Sequence, residues 1–331
     1  MEVTKQKTID NLHSVHEEKS LLSFASTKKR FVLYKKNYIV MDDEQQEELI
    51  EECNVLRREL NDLMTNDFDR VLKEINDILK NSIRSLKRPD DSTDLTSSEA
   101  TAKPILLSLT HPQNSEILKC TVTLFGSDLT TAEVIYKAGT KVQPPMNAAF
   151  RTTIATQQMK YWSLQQLHEC SQHLERALGY VACADFDRNI YQLHKAIQYL
   201  DLIIDSVNSA KDNILLPKKK RIDDLRRSRN TTIFSPPIPE NMAFSFYVQG
   251  SKLSFAVYHT SVQGKSSGYF KHFIEANVSV LADLLNQLSY ILLQLQQLRD
   301  KLRVFDEYQD GSDWKLMEEK QKETNTLMTM F

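Results

Sequence analysis

The sequence predicts an α+β protein: an elongated antiparallel helical bundle of about four long helices with a discontinuous antiparallel β-domain. Three observations lead there. Apolar residues recur at steps of three and four over long stretches, the spacing of a one-sided helix. Between those stretches the period changes to two, in two blocks far apart in the chain. Only 7 glycines occur in 331 residues, and none are bunched as a phosphate-cradling loop requires. The layout that follows is a flexible N-terminal arm over 1–41 and a helical bundle from 42–86, 157–212 and 273–306. The β-domain comes from 104–156 and 232–262, with linkers at 87–103 and 213–231 and a polar tail over 307–331.

The arm is polar and basic apart from RFVLYKKNYIV, which predicts one short strand. The first helix starts at Asp42, a capping residue with Gln45 three positions later and acids in its first turn. Its stripe is Leu49, Cys53, Leu56, Leu60, Met64, Phe68, Val71, Ile75 and Ile78, and it runs to Leu86. At 1.5 Å per residue it would be about 65 Å long. The two successive steps of four around Met64 resemble a stutter, which locally unwinds a supercoil.

Strands are predicted at Ile105–Leu109, Ile117–Phe125, Ala132–Lys137 and Ala148–Ile154, separated by the turn-forming stretches HPQNS, GSD and GTKVQPP. Helices resume near Gln157. Trp162, Leu164, Leu167, Leu174 and Leu178 mark the first, with Trp162 at its start and Gly179 as its stop. Asp185 caps the second, whose stripe is Ile190, Leu193, Ile197, Leu200, Ile204 and Val207. So short a loop makes the two antiparallel neighbours. After SPPIPEN, the runs MAFSFYV and KLSFAVY alternate about Gln249-Gly250-Ser251 and predict a hairpin. A loop over 261–273 leads to the last helix, Phe273 to Phe305.

That helix carries Leu281, Leu288, Leu295 and Leu302 seven apart, the spacing of a zipper. Its full stripe adds Leu284, Ile291, Leu298 and Phe305, and Leu285, Leu292 and Leu293 widen it. A broad apolar face with few flanking charges predicts burial against several neighbours; the alternative is a homodimeric coiled-coil scaffold through Leu281 to Leu302. A DNA-binding zipper needs a continuous basic helix upstream, and FAVYHTSVQGKSSGYFKHF is not one. The predicted bundle core is Leu60, Trp162, Leu167, Leu281, Leu288, Leu295, Leu302 and Phe305.

Composition narrows the chemistry. The net charge is -2, which argues against nucleic acid as a partner of the whole chain. The four cysteines, Cys53, Cys120, Cys170 and Cys183, show no disulfide framework, as expected in a reducing compartment. No apolar run approaches the ~20 residues of a membrane span, and MEVTKQKTIDNLHSVHEEKS reads as neither signal peptide nor presequence. In HECSQH, His168 and His173 are five apart, so their side chains point about 140° apart and cannot share a zinc ion as a HExxH pair does. The sequence offers no catalytic, cofactor-binding or metal-binding residues. The candidate contacts are the arm, the hairpin edge and the basic run of Lys218, Lys219, Lys220, Arg221, Arg226 and Arg227; such a run is most often a solvated loop, and its functional alternative is contact with an acidic partner or an anionic membrane.

The order of segments carries a resemblance. LNDLMTNDFDRVLKEINDILKNS (60–82), TVTLFGSDLTTAEVIYK (121–137), WSLQQLHECSQHLERAL (162–178), FSPPIPENMAFSFYVQGSKLSFAVYH (234–259) and LQQLRDKLRVF (295–305) resemble the Rogdi family in sequence and in order. The long arm, the polar tail and the short loop at 261–273 depart from the family's animal members, and the linker at 87–103 looks like a fungal elaboration, so the chain resembles the fungal members, the small subunits of RAVE, the regulator of the ATPase of vacuoles and endosomes. The resemblance implies a helical bundle with a β-domain and no enzymatic activity. It implies a cytoplasmic subunit, monomeric within a hetero-complex. Its implied partners are a large β-propeller-containing scaffold subunit, a small ubiquitin-ligase adaptor protein and V-ATPase subunits. With them it would promote reassembly of the V-ATPase peripheral sector onto its membrane sector, recruited to vacuolar and endosomal membranes through those partners.

Overall fold

The computed structural model describes residues 43–87, 103–109, 118–137, 149–154, 161–183, 192–218, 220–263 and 266–309. The predicted arm, most of the first linker and the tail beyond 309 lie outside them, as do Asp42, Asp185 and Ile190. The chain divides into two units, residues 1–56 and 57–331. The first contributes the opening part of helix α1, Asp43–Asp62; the sheets and the other helices belong to the second.

The steps of four have a structural counterpart. Between α1 and α2, Phe68–Leu86, the chain makes one wide π-helical turn, Leu63–Asp67. Spacing of four on both sides of Met64 drifts off a 3.6-residue stripe, and a π turn absorbs that drift. Leu60, Met64 and Phe68 are all fully buried as a result.

Two antiparallel sheets follow. The first contains β1 (Ile105–Leu109), β2 (Leu118–Phe125), β3 (Asp128–Tyr136), β4 (Phe150–Ile154), β5 (Trp162–Ser163) and β6 (Phe234–Ser235). Its order is β1-β2-β3-β4-β6, with β5 on β3. The second is β7 (Met242–Gln249), β8 (Lys252–Gln263) and β9 (Ser266–Asn277), in that order. The remaining helices are α3 (Gln165–Cys183), α4 (Leu193–Leu215), the one-turn α5 (Ile222–Arg226) and α6 (Ser279–Gln309).

The α+β class therefore stands, and the elongated four-helix bundle does not. The described chain is mostly two antiparallel sheets plus helices of unequal length, and the helices are tied to the sheets along their ends. Five local readings change with it. The loop expected at 261–273 is largely strand β9, and the last helix starts at Ser279, not Phe273. Trp162 opens no helix but sits in β5. Gly179 does not stop α3, which runs on to Cys183; a Cβ there would meet nothing outside its own helix within 4 Å, and a single interior glycine costs only about 1 kcal/mol. The stretch expected as a linker at 213–231 ends α4, forms α5 and enters a 3-10 turn, Arg229–Ile233.

The inner faces of the two sheets meet through aromatic rings. Trp162 packs edge-on against Phe234 and Phe246, with ring centroids 5.9 and 5.1 Å apart. Phe244 meets Phe150, Phe234 and Phe255 in the same cluster. On α6, Leu281, Leu284, Leu288, Ile291, Leu295, Leu298, Leu302 and Phe305 are all buried, and this helix packs on α2 and α4. Leu293 departs from the expected broad face, being half exposed. Leu167 is fully buried on α3, which lies between α2 and α4. Polar links accompany the apolar seam: Ser82 Oγ donates to Gln287 Oε1 at 2.8 Å, Tyr290 Oη to Glu74 Oε1 at 2.6 Å, and Arg299 and Arg303 both reach Asp201.

The turns bind helix ends to sheet edges. Gly250 N–H, in the β7–β8 turn, donates to the Ile214 carbonyl at 2.9 Å, and Val278 N–H donates to the Ser251 carbonyl at 2.8 Å. The last carbonyls of α4 have no partner within their own helix. Gly250 satisfies one, and the Gln166 side chain satisfies the Asn213 carbonyl.

Candidate partner-binding surface

The basic run is shaped by α5. Its buried Leu225 anchors a short amphipathic turn on β7. Lys218 is drawn across to α3, where its ammonium pairs with Glu169. That bond, and a second from Gln165, hold the Glu169 carboxyl below its ordinary range. Arg226 lies 3.8 Å from Asp223 within the same turn. Lys220, Arg221 and Arg227 project into solvent; Lys219 lies outside the described residues. The structure thus separates the six predicted cations into two held by carboxylates of the chain and three exposed ones.

A second surface was invisible in the sequence reading because it needs β9. In the register of β8 and β9, Tyr258 stands opposite Lys271 and Ala256 opposite Phe273. Tyr269 lies one alternate position further along, opposite Thr260. Tyr258 and Tyr269 meet edge-on with centroids 6.1 Å apart. Lys271 Nζ lies 5.9 Å from the Tyr258 centroid and 5.4 Å from that of Phe273, within the range of cation–π attraction. Tyr269 is 59% exposed and Phe273 41%. The result is an aromatic strip with a cation in its middle. Large exposed aromatics grouped on one strand are the composition of a protein contact, not of a solvated surface.

Ionisable groups also meet inside. His259 on β8 and His272 on β9 flank Tyr136 of β3, with ring centroids 6.2 and 5.7 Å from the phenol. His259 is fully buried, and its Nε2 lies 2.9 Å from the Asn241 amide nitrogen. An amide nitrogen donates, so Nε2 accepts and the neutral ring carries its proton on Nδ1. Burial pushes both imidazoles down in pKa, and for His259 the nearby His272 adds to the effect. Burial also raises the Tyr136 phenol. These groups belong to the inter-sheet core.

A pH dependence follows. The folded chain resists protonating His259 and His272, whereas the unfolded chain takes up those protons near the ordinary imidazole value of about 6.5. Stability is therefore full above that value and is lost progressively as pH falls below it, toward the lowered folded values. Urea midpoints measured from about pH 8 to about pH 5 should decline through this window, and His259→Gln should flatten the decline. A midpoint that stays level in the wild type would contradict it.

HECSQH assembles no centre. Cys170 is buried, which pushes its thiol up to about 12. His168 instead pairs with Gln172 at 3.1 Å. Burial, then the Arg176 charge, lowers His173. Among the described residues no three His, Cys, Asp or Glu side chains converge as metal ligands. No helix among them is long and apolar enough to cross a membrane.

Comparison with known proteins gives these surfaces a context. The family model described as Rogdi leucine zipper containing protein matches residues 59–268. The chain belongs to the Rogdi family. Protein rogdi of Drosophila melanogaster is 32% identical over 193 residues, covering 58% of this chain and 70% of the fly protein. The rogdi homolog of Danio rerio is 28% identical over 284 residues, 78% of this chain and 95% of its own. That of Homo sapiens is 24% identical over 281 residues, 77% and 93%. The Rogdi match ends inside β9 and before α6, so the heptad leucines at 281–302 lie beyond it.

Proposed function

We propose that this Rogdi-family chain is a non-catalytic assembly-factor subunit of a RAVE-type complex. It binds a large β-propeller-containing scaffold, with a small ubiquitin-ligase adaptor in the same assembly. The complex promotes reassembly of the V-ATPase peripheral sector onto its membrane sector, and so vacuolar and endosomal acidification. The chain itself is cytoplasmic and reaches the membrane through its partners. Membership of the Rogdi family and the resemblance to its fungal members support the choice of pathway. The observation that carries the contact role is the exposed strip of aromatic rings around Lys271 on β8 and β9. A subunit of this kind acts by binding energy, raising the effective concentration of the pieces it holds.

The test is affinity purification of the full-length tagged chain from its native cells, with peripheral V-ATPase subunits quantified beside the scaffold. Their joint recovery, and impaired vacuolar acidification when the chain is deleted, are expected. Normal acidification and assembly in the deletion would defeat the reading. Within the basic segment, Lys220→Glu with Arg227→Glu should weaken scaffold binding several-fold at low salt and less at high salt, as rim charges do. Lys218 is a poor test position, because its reversal sets two carboxylates against each other at Glu169. With the heptad leucines buried in the chain's own core, light scattering of the purified chain should give a monomer mass that does not change with concentration.

A further inference from the structure

The strip on β8 and β9 has a chemistry that specifies its occupant. β8 and β9 outrun their neighbour: β7 pairs with β8 only as far as His259, whereas the β8–β9 ladder continues through Gln263 and Ser266. The hairpin therefore projects beyond the three-stranded part of its sheet. At the base of this projection Tyr269 and Phe270, which point to opposite faces, are both exposed, at 59% and 40%. Further along the strand His272 and Ile274 turn into the core.

Charge decides what would lie there. Glu275, the acid on the same face of β9, is engaged by Lys252. Lys271 sits over two aromatic rings, and no carboxylate among the described residues forms an ion pair with it. An exposed cation flanked by aromatic rings, with its charge not taken up by a carboxylate of the described residues, attracts an incoming anion beside an apolar surface. The exposed rings on either side offer apolar contact within reach of the same short peptide. The strip is one row of side chains along a single strand pair, Tyr258, Tyr269, Lys271 and Phe273, a shape that fits a linear segment rather than a folded domain.

We propose that this face receives a short acidic segment of the scaffold partner, with a carboxylate on Lys271 and flanking apolar side chains against Tyr258, Tyr269 and Phe273. The inference rests on the assembly-factor reading for the identity of the partner, and on the strip alone for the chemistry of the segment.

Two binding measurements test it on the full chain. One uses the purified scaffold subunit. The other uses a fluorescent probe peptide that alternates Glu with Phe and Leu, with a Lys-for-Glu peptide as control. Wild type should bind the scaffold and the acidic probe but not the basic control. Lys271→Glu and Tyr269→Ser should each weaken both interactions by about tenfold or more, and Lys271→Arg should retain them. Both positions are exposed, and unchanged melting curves confirm that the variants fold. If the probe binds in this manner and the scaffold does not, the inference about the face stands and the assembly-factor reading falls. If wild type and variants bind the scaffold alike and the acidic probe is ignored, the assembly-factor reading stands and this inference is overturned. Failure of both probe and scaffold to bind wild type overturns both.

Discussion

Replacing Gly126 by alanine should destabilise the protein by about 3 kcal/mol or more, whereas the same change at Gly250 should cost about 1 kcal/mol. Both glycines close hairpins in the left-handed region, at φ 60° and 63°. An alanine pays about 1–2 kcal/mol for that conformation wherever it occurs. What differs is the space. A Cβ on Gly126 would stand 2.8 Å from the Leu86 carbonyl oxygen and 3.1 Å from the Lys87 carbonyl carbon, while one on Gly250 would meet nothing within 4 Å. The obstacle at Gly126 is backbone, so no side chain can rotate away. The end of α2 must lift from the β2–β3 turn. That end is fixed on its other side, where Lys87 pairs with Glu175 of α3 at 2.7 Å. The next residue of the turn is engaged too, because the Ser127 carbonyl accepts from Leu164 N–H at 2.9 Å, just before α3. Chemical denaturation of both variants gives the comparison directly. Equal losses would show that the contact at Leu86 yields freely and that the helix is not held there.

The difference between these glycines also marks what a sequence can disclose. Both turns were legible as Gly-containing breaks between alternating strands. Neither the helix that arrives over Gly126 nor the carbonyl that Gly250 caps is local information. The same division runs through the rest of the chain. The steps of four around Met64 are a local pattern, and they correspond to a π turn. The hairpin of β7 and β8 was legible because large apolar side chains alternate cleanly with small or polar ones. β9 was not, for a physical reason. Its exposed Tyr269 and Phe270 are adjacent, so they break the alternation that identifies a half-buried strand, and Phe273, Ile274, Val278 and Leu281 fall at helical spacing. Only pairing with β8 over Lys252–Gln263 makes the segment a strand. Missing it moved the start of α6 and hid the aromatic strip. The basic run was readable as charge, but the bond from Lys218 to Glu169 spans 49 residues. The apolar stripes likewise identified helices without revealing that the sheets, joined through helix ends and turns, organise them.

Gln166 is the position where that joining is most concentrated, and its loss should be costly. The side chain is buried at the start of α3. Its Nε2 donates to the Asn213 carbonyl in the last turn of α4 and to the Val248 carbonyl of β7, both at 2.8 Å. Its Oε1 accepts from Val248 N–H at 2.8 Å. One amide thus satisfies three backbone groups, in a helix end and a strand, that have little access to water. Gln166→Leu keeps the volume and removes all three bonds. With each orphaned buried group costing about 1–3 kcal/mol, a loss of about 3–5 kcal/mol is expected, short of the full sum because the groups relax together. Gln166→Glu separates polarity from size. The carboxylate can still accept from Val248 N–H but faces two carbonyl oxygens with no proton to offer. Its folded pKa is therefore raised, so the variant is least destabilised below the ordinary glutamate value of about 4.3 and loses stability as pH rises through the folded value. The wild type moves the other way, because His259 and His272 favour the higher pH. Urea denaturation of both variants between about pH 4 and about pH 8 should show the gap between Gln166→Glu and wild type widening with pH. A Gln166→Leu variant within about 1 kcal/mol of wild type would mean that water replaces the amide, and that α3, α4 and β7 are held together by their apolar contacts alone.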